Sequence, residues 1–401
     1  MLLVSFFPYD DRVEKEARAL LQAGHNVFLL SLGKRGAPVR EEIKGIKVIR
    51  VLPSKAFLNR LWNYFCFQLF FIHPFWAKAL ADTVKQYGIE ALHVHDLLMV
   101  KTGLYVANKY NIPLIADLHE NYPEGMKAWG EKKTWRRKIL DMPAPLWRWK
   151  RLERLCVKRA NKIITVVEEA KNHYVRDCRI PPEKITVMMN TMDLETFDNA
   201  EIKSVCNNYK DNFIISYIGC FGPHRGIDTS IKAMPKILEK IPNAKLLLVG
   251  GGLKEYEEEI KKLCKDLKVE NNVIFTGWVN FNSIPSYISV SDVGLVPHHK
   301  SGHTDTTIPN KLFQYMTMRK PVVVTDAKPL RRIVEETKCG IVVPSGDYNK
   351  MANAVVKLYE DKDYAKKLGE NGRRAVERKY NWEKEAEKLC ELYEKLREGY
   401  A

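Results

Sequence analysis

A basic residue, an amide and a proline are grouped where a loop passes into a helix, about three quarters of the way along the chain. Lys311 and Gln314 lie three residues apart and therefore share one face of the predicted helix. Pro309 suits the first turn of that helix, and Thr307 or Asn310 is expected to cap it. A cation and an amide beside a helix N-terminus can hold a diphosphate and a sugar hydroxyl. The sequence therefore predicts an anion-binding site here.

A glycine-punctuated loop in the same half of the chain is a second candidate for anion binding. It contains Gly219, Gly222 and Gly226, and glycine permits a close approach of the backbone to a ligand. Arg225 stands just before the next predicted helix, and its planar guanidinium suits phosphate oxygens. Three glycines alone are as typical of a structural turn as of an anion-binding loop. Arg225 together with Lys311, however, can clamp a diphosphate from two loops of one domain.

Histidines and acids follow two predicted strands in the N-terminal half of the chain. His93, His95 and Asp96 end one strand, and Asp117 and His119 end the next. A histidine at the carboxyl end of a strand can hydrogen-bond a sugar hydroxyl or relay a proton. A structural histidine is the alternative at each position, but two such groups at equivalent strand ends favour a functional site. Metal binding by His93, His95 and His119 is conceivable, but no carboxylate-rich motif accompanies them, so we expect no metal.

Alternating strands and helices must position these residues, and the alternation occurs twice. Short apolar strands alternate with helix-length segments over residues 1–189 and again over residues 213–360. This pattern is typical of parallel sheets that are covered on both faces. Residues 193–212 are polar and weakly patterned, which predicts an interdomain linker. We therefore expect an α/β protein with two doubly wound domains, and ligands in the cleft at the carboxyl ends of the strands.

The composition favours a cytoplasmic protein with anionic partners. Met1 begins a strand-like run rather than a signal peptide, and the eight cysteines are scattered singly, which predicts reduced thiols and no disulfide framework. The net charge of +16 is compatible with anionic substrates, an anionic membrane face or nucleic acid. Because no nucleic-acid-binding motif accompanies the charge, we expect no nucleic-acid partner.

Two stretches, residues 135–138 and 147–151, interleave cations with indoles, and residues 57–76 are dense in aromatic side chains. Tryptophan and basic residues favour the surface of an anionic membrane; a solvated basic helix face is the alternative for the two basic stretches. The 57–76 run falls short of the ~20 apolar residues of a membrane-spanning helix. A buried helix and a helix lying in the membrane interface are left as equal alternatives for it.

Taken together, these motifs resemble the retaining nucleotide-sugar glycosyltransferases of family 4, in the branch that builds cell-surface polysaccharides. The resemblance rests on residues 7–13, 93–96, 117–120, 190–193, 219–226, 276–279 and 309–321. It implies the GT-B fold: two Rossmann-like, doubly wound domains with an interdomain cleft and a C-terminal crossover helix. The expected divisions are an acceptor-side domain at 1–195, a donor domain at 196–380 and a helix at 381–401 that packs back on the first domain.

The resemblance also implies roles for individual residues. His119 would lie near the donor sugar, while Arg225 and Lys311 would hold the diphosphate and stabilise the leaving group. The further donor-binding positions would be Asn190, Gly222, His224, Val279, Thr306, Thr307 and Gln314. The acceptor-side positions would be His95, Asp96 and Glu120.

The implied reaction is transfer of a sugar, with retention of configuration, from a nucleotide-diphosphate donor to a glycan or lipid-linked acceptor. No cofactor or metal is expected. The reaction would take place in the cytoplasm or on the cytoplasmic membrane face. Thr306 and Gln314 stand where the family commonly has glutamates, and Arg319 stands where it has glycine. These departures leave a degenerate GT-B protein, which binds nucleotide sugar or a partner without turnover, as the alternative. An inverting epimerase of the same fold fits the Arg225 and Lys311 motifs less well.

Overall fold

The chain forms two compact units of alternating strands and helices. Unit 1 consists of Met1–Met189 and Glu385–Ala401, and unit 2 of Asn190–Lys384. The computed structural model describes residues 1–8, 10–34, 36–52, 57–130, 145–202, 209 and 211–399. Tyr9 of the opening motif and the basic stretch 135–138 lie outside the described residues.

Unit 1 is built on an eight-stranded sheet with the order β3-β4-β2-β1-β5-β6-β7-β8. Its strands are β1 (Leu2–Phe6), β2 (Phe28–Leu32), β3 (Arg40–Ile43), β4 (Ile46–Val51), β5 (Leu92–His95), β6 (Leu114–Leu118), β7 (Lys162–Thr165) and β8 (Ile185–Val187). Its helices are α1 (Asp11–Gln22), α2 (Phe57–Phe70), α3 (Pro74–Tyr87), α4 (Leu97–Tyr110), α5 (Tyr122–Gly130), α6 (Leu146–Arg159) and α7 (Glu168–Cys178). All neighbouring strands are parallel except β3 and β4.

The antiparallel pair β3 and β4 is an edge hairpin that the sequence pattern did not predict. Its two-residue turn consists of Lys44 and Gly45, both with positive φ (53° and 82°). Two-residue turns with positive φ match the twist of the strands that they join. Lysine is an uncommon residue at the first of these positions, so the turn lacked its usual sequence signal.

Unit 2 carries a six-stranded parallel sheet with the order β11-β10-β9-β12-β13-β14. Its strands are β9 (Phe213–Ile218), β10 (Ala244–Val249), β11 (Val273–Gly277), β12 (Val293–Val296), β13 (Val322–Thr325) and β14 (Gly340–Val343). Its helices are α8 (Leu194–Asp198), α9 (Ile227–Lys240), α10 (Lys254–Asp266), α11 (Ile284–Ser289), α12 (Asn310–Thr317), α13 (Lys328–Thr337), α14 (Tyr348–Glu360) and α15 (Lys362–Arg378). The last helix, α16 (Trp382–Glu398), continues into the residues grouped with unit 1.

The central strands of both sheets are buried on both faces, as continuous apolar runs predict. Every residue of β5, β6, β12 and β13 is buried. Each unit has its own apolar core, formed by these strands and the helices that cover them. The predicted fold class, α/β with two Rossmann-like units, is confirmed.

The segment predicted as a linker contains a short helix. The side chain of Asp193 accepts a hydrogen bond from the amide of Thr196 and caps α8. At the other end of α8, Asp198 forms a bidentate pair with Arg373, with N–O distances of 2.6 and 2.8 Å. The segment is therefore partly ordered by capping and by one ion pair, which polar composition alone did not indicate.

The aromatic run 57–76 forms two helices rather than one. Helix α2 ends at Phe70, and Pro74 begins α3, since proline suits the first turn of a helix and not its interior. Seven apolar side chains of α2 are exposed: Leu58, Leu61, Trp62, Tyr64, Phe65, Leu69 and Phe70. In the described part of the chain, no helix has the length and apolar character needed to cross a bilayer.

Candidate functional site

The candidate residues of each unit gather where the strand order of its sheet reverses. In unit 1 the order reverses between β1 and β5, and in unit 2 between β9 and β12. Loops that leave neighbouring strands at such a point diverge, and ligands of open α/β sheets bind in the space between them. Arg12 follows β1, and Arg225 follows β9.

Tyr315 fixes helix α12 against the sheet of unit 2 and thereby places Lys311. The hydroxyl of Tyr315 donates to the carbonyl oxygen of Ser216 on β9 at 2.8 Å. Its ring lies against Gly294 on β12, where a Cβ atom would come within 2.4 Å of the ring. Lys311 precedes Tyr315 by four residues and projects from the same face of the helix. The ammonium nitrogen of Lys311 consequently lies 3.3 Å from the centre of the Tyr217 ring.

Lys311 and Arg225 form a cationic site for which the described residues supply no acidic partner. Lys311 is only 7% exposed, and burial together with the charge of Arg225 lowers its pKa well below the usual value. Nη1 of Arg225 lies 3.5 Å from Nε2 of His298, and its Nε is buried with no hydrogen-bond partner. Among the described residues, neither cation is paired with a carboxylate. Two unpaired cations, one of them buried, favour an anionic ligand.

Three histidines line this cationic site in their neutral form. Burial and the charge of Arg225 lower the pKa of His224 to about 3 and that of His303 to about 4. The same two causes lower the pKa of His298 well below its usual value. The rings of His224 and His303 meet edge to face, with their centres 5.8 Å apart. Neutral imidazoles can donate or accept one hydrogen bond each without adding charge.

Glycine is required at the end of the loop that carries Arg225. Gly226 has φ +68°, and a Cβ atom there would lie 1.9 Å from the carbonyl oxygen of Pro297. At the start of the loop, Gly219 has φ +123°, and its Cβ position lies 3.4 Å from Nζ of Lys311. Side chains at these positions would displace the backbone or fill the space in front of the lysine. Gly219 and Gly226 therefore allow the turn to form and also keep the space in front of Lys311 open.

The predicted caps of helix α12 were wrong, because the helix begins at Asn310 with Pro309 in the N-cap position and no side-chain cap. Proline has no side-chain acceptor, so the first amides of the helix lack a capping side chain. Thr306 instead donates its hydroxyl to the carbonyl oxygen of Gly302 at 2.7 Å. Thr307 is extended and half-buried.

The remaining donor-side candidates are distributed along the strand ends of unit 2. Gln314 is buried one turn after Lys311, and Gly222 packs against the ring of His224. Val279 is half-buried beyond the end of β11. It follows Trp278, which is 70% exposed and whose indole nitrogen approaches the Cβ position of Gly251. Asn190 is half-buried at the start of unit 2.

In unit 1, the carboxylate of Asp117 is the centre of a buried polar cluster. Its Oδ2 lies 2.9 Å from Nε2 of His119, 3.3 Å from Nδ1 of His95 and 3.6 Å from Nε2 of His93. Nη2 of Arg12 donates to Oδ1 at 3.1 Å. Burial opposes ionisation of Asp117, but Arg12 and His119 hold the pKa of Asp117 well below its usual value. The aspartate is therefore a fixed negative charge.

This negative charge keeps His119 protonated. Burial alone would lower the pKa of His119, but the carboxylates of Asp117 and Asp96 raise it to about 9. Burial lowers the pKa of both His93 and His95, so these two rings are neutral. At neutral pH, His119 is the imidazolium of the cluster, and it can donate to a sugar hydroxyl or to a developing negative charge.

The acceptor-side candidates differ in their access to a ligand. His95 is fully buried and contacts His119. In this structure it orients the His119 ring and is not exposed to an acceptor, which differs from its expected acceptor-side role. Asp96 is partly exposed, with its carboxylate 3.8 Å from Nδ1 of His119. Asp96 also has φ +62°, a sparsely populated conformation for a residue other than glycine. Glu120 is half-buried in the loop directly after His119.

The histidines and acids of unit 1 have the spacing of metal ligands, but a guanidinium lies among them. Glu16, His93, His95 and Asp117 place one ligand atom each within 4.8 Å of one another. Nε of Arg12 lies 2.8 Å from the carboxylate of Glu16, and the same side chain contacts Asp117. This cation holds Asp117 as an anion, whereas burial and the charge of Asp117 raise the pKa of Glu16 to about 8. The expectation of a metal-free site is compatible with this arrangement and stays a prediction.

Sequence reasoning missed five members of the two clusters: Arg12, Glu16, His298, His303 and Tyr393. Arg12 and Glu16 are four residues apart on α1, a spacing that indicates one helix face. His298 follows the carboxyl end of β12, which is the same signal that identified His119. The hydroxyl of Tyr393 lies 3.0 Å from Nδ1 of His93, 300 residues earlier in the chain, and no local pattern indicates that contact.

Comparison with known proteins divides the chain at nearly the same place as its structure. Residues 12–196 match the family model described as Glycosyltransferase Family 4, and residues 198–375 match the one described as Glycosyl transferases group 1. An uncharacterized glycosyltransferase of Methanocaldococcus jannaschii is 25% identical over 395 residues, which cover 94% of this chain and 91% of that protein.

Two further proteins bear on chemistry and on fold. An Escherichia coli enzyme named UDP-Gal:α-D-GlcNAc-diphosphoundecaprenol α-1,3-galactosyltransferase is 24% identical over 256 residues, 62% of this chain and 63% of that one. The solved structure of a sucrose-phosphate synthase from Thermosynechococcus elongatus superposes with a TM-score of 0.80 and covers 99% of both chains. At 20% identity, that likeness concerns the fold alone.

Proposed function

This chain belongs to the GT-B glycosyltransferases that the two family models describe, and on that premise we propose that it transfers a sugar from a nucleotide-diphosphate donor with retention of configuration. The observation that carries the proposal is the pair Arg225 and Lys311, two cations without an acidic partner among the described residues. They lie beside the uncapped N-terminus of α12. A diphosphate supplies the missing negative charge.

The proposed chemistry needs neither a metal nor a cofactor. As the bond between sugar and diphosphate breaks, negative charge grows on the leaving phosphate oxygens. Arg225, Lys311 and the first amides of α12 are proposed to stabilise that charge, and preorganised electrostatic stabilisation is usually the largest catalytic contribution. The exposed indole of Trp278, beside the ends of β10 and β11, offers a stacking surface for the nucleobase.

His119 is proposed to act on the sugar side of the reaction. Its imidazolium is held by Asp117 and has an edge that is partly exposed. A charged donor in this place can hydrogen-bond a sugar hydroxyl or stabilise a developing charge. Asp96 and Glu120 are proposed to contribute hydrogen bonds to the acceptor.

Nucleotide binding is expected to be measurable as thermal stabilisation. UDP, GDP and their sugars, each at 100 times the dissociation constant, should stabilise the donor-binding unit by about 2.7 kcal/mol, which corresponds to about 5–10 °C in Tm for a unit of this size. Transfer of radiolabelled sugar from the stabilising donor, with EDTA present, then tests turnover without a metal. Stabilisation with neither transfer nor donor hydrolysis would favour the degenerate alternative, and stabilisation by none of the nucleotides would contradict the proposal.

The acceptor is proposed to be lipid-linked, as in cell-surface glycan synthesis at the cytoplasmic membrane face. The exposed apolar face of α2 supports this, because patches of this kind are uncommon on monomeric soluble proteins. Basic side chains flank it: Nη2 of Arg148 donates to the carbonyl oxygen of Gln68 at 2.6 Å, and Nζ of Lys101 donates to that of Phe70 at 2.6 Å. On α6, Trp147 is exposed, whereas Trp149 is core, so only the first indole of that motif can reach lipid.

Vesicle flotation should detect the proposed membrane contact. The protein is expected to float with vesicles that contain anionic lipid at low salt, and less at high salt. Replacing the exposed apolar side chains Trp62 and Leu69 by serine should abolish flotation. The matched control replaces Leu253 and Tyr348 of unit 2, which are also exposed, and should leave it intact. Flotation that is absent at every lipid composition, or equal in both double variants, would contradict the contact.

A further inference from the structure

A cluster of three potential metal ligands lies in unit 1 outside the polar cluster around Asp117. Glu153 comes from α6, and His173 and Cys178 come from α7. One ligand atom from each lies within 4.8 Å of the other two. The cluster lines a cavity of about 500 Å³, together with residues of α5 and of the loop before it. The resemblance to glycosyltransferases assigns no role to these three residues.

The spacing of the nearest pair agrees with zinc coordination. Nε2 of His173 and Oε2 of Glu153 are 3.3 Å apart. Two ligands at about 2.0–2.1 Å from a zinc ion with tetrahedral angles are separated by about 3.3 Å. Cys178 adds a sulfur, and carboxylate, imidazole and thiolate are all common zinc ligands. Three protein ligands leave the fourth position of a tetrahedral site open toward the cavity.

Asp177 orients His173 in the manner of a residue behind a metal ligand. Nδ1 of His173 donates to Oδ2 of Asp177 at 2.8 Å, which directs Nε2 at Glu153. Histidines that bind metals usually donate their other ring nitrogen to a carboxylate or carbonyl in this way. Nε and Nη2 of Arg176 donate to the same aspartate at 2.7 and 3.1 Å, and this fixes the carboxylate in turn.

Glu153 is an independent indication that the cluster can hold a further ligand. Glu153 is 3% exposed, and its Oε1 is buried with no hydrogen-bond partner. A buried carboxylate oxygen without a partner destabilises the folded protein. In the cluster around Asp117, a guanidinium contacts both carboxylates. Within the described residues, Glu153 has only the histidine as a charged contact.

Cys178 is chemically suited to gain a partner. Cys178 is 2% exposed, and its sulfur lies within 4.8 Å of one ligand atom each of Glu153 and His173. A coordinated metal deprotonates a thiol outright and replaces that proton. Arg154 and Lys158 line the same cavity.

We propose that Glu153, His173 and Cys178 bind one Zn²⁺ ion, which ties α6 to α7 and is separate from the sugar-transfer chemistry. The two anionic ligands balance the charge of the ion. Water or a small anion would complete the tetrahedral coordination. The expected role is structural, because the ion would join two neighbouring helices of the unit 1 core.

Metal analysis of the full-length protein tests this proposal. Protein stripped with EDTA and equilibrated with Zn²⁺ should retain one zinc per chain after gel filtration. Co²⁺ in its place should show thiolate-to-metal charge-transfer absorption. Cys178→Ser should abolish that absorption, and Asp177→Asn should weaken zinc binding by about 10- to 100-fold through loss of orientation. Asp177 is partly exposed, so this second variant is expected to fold even if the first does not.

The matched control is Cys264→Ser, because Cys264 is equally buried but lies in unit 2 away from this cluster. It should leave the cobalt spectrum unchanged. Wild-type protein that retains no zinc would overturn the proposal. So would a cobalt–thiolate absorption that survives in Cys178→Ser, or zinc affinity that Asp177→Asn leaves unaltered. Nucleotide-dependent thermal stabilisation, measured on the same samples, reports the donor site independently of the metal.

Discussion

Replacing Arg225 and Lys311 together by alanine is expected to abolish donor binding in calorimetry. Charge-assisted hydrogen bonds contribute about 1.5–3 kcal/mol each, so the loss of both cations corresponds to a weakening of about 10²- to 10⁴-fold. Turnover should fall further, because the same groups stabilise the leaving diphosphate more strongly than the bound donor. An affinity unchanged from wild type would exclude this place as the donor site.

A variant that keeps the volume of Lys311 separates binding from folding. Lys311→Met removes the charge but still fills the space beside the Tyr217 ring. Because the buried ammonium has no acidic partner among the described residues, its removal should raise the free energy of unfolding while it weakens donor binding. Opposite signs for stability and affinity are characteristic of a residue retained for function. A loss of both would indicate that Lys311 serves mainly to hold the fold.

The lowered pKa of Lys311 gives the same prediction a pH dependence. The folded protein binds this proton less tightly than the unfolded chain does, so stability should rise with pH above the lowered pKa of Lys311 and up to its unfolded value near 10.4. An anionic donor favours the ammonium, so donor affinity should fall over the same range. Calorimetry in buffers of different ionisation enthalpy should show proton uptake on binding in this range.

The control for the double variant removes the same charge from the same unit. Lys357 lies over the ring of Tyr364 as Lys311 lies over Tyr217, and Arg331 is exposed and paired with Glu335. Replacing Lys357 and Arg331 by alanine should leave donor affinity within about twofold of wild type. An equal loss in this control would attribute the effect to net charge rather than to a site.

Residue type and spacing predicted the parts of the fold that depend on buried strands. The apolar runs that form β9 and β13 are stable only when both faces are buried, so the sequence is sufficient to identify them as strands. The hairpin of β3 and β4 was missed because its strands are half polar and its turn is Lys44–Gly45. Periodicity is weakest at such an edge, where a strand is solvated on one side.

The same reasoning identified the charged groups of the candidate sites better than their partners. Arg225 and Lys311 could be paired from the sequence because both stand at loop-to-helix boundaries of one domain. The environment that changes their chemistry could not be predicted, since Tyr217 and His298 reach Lys311 and Arg225 only through tertiary packing. The helix caps failed for a local reason, because Pro309 ends the extended segment and occupies the cap position itself.

Removing the charge of Asp117 is the second change from which we expect a large effect. Asp117→Asn keeps the shape of the side chain but takes away the carboxylate that holds His119 as a cation. The pKa of His119, raised to about 9 in the native cluster, should fall toward or below its ordinary value. At neutral pH the variant would then present a neutral imidazole to the sugar, and loss of a positioned proton donor costs about 10²- to 10⁴-fold in kcat.

The pH dependence of stability follows from the same shift. The folded-state pKa of His119 lies above its unfolded value of 6.5, so protonation stabilises the fold. That contribution is complete below about pH 6.5 and is lost as pH rises through about 9. In Asp117→Asn this slope between pH 6.5 and 9 should disappear. Arg12 would lose one of its two carboxylate contacts, which adds a loss of about 3–5 kcal/mol, as for a broken buried ion pair.

The decisive measurement is the pH at which kcat declines on the alkaline side of its pH profile, not the size of the loss in kcat. Wild-type kcat should decline as His119 deprotonates near pH 9, and NMR titration of the His119 ring should show the same midpoint. In Asp117→Asn both should move to lower pH together. Asp198→Asn breaks the Arg373 pair of unit 2 and should lower stability without moving the alkaline decline of kcat. If the alkaline decline of kcat keeps the same midpoint in Asp117→Asn, His119 is a structural histidine. It would then be held charged by its neighbours but unused in the reaction.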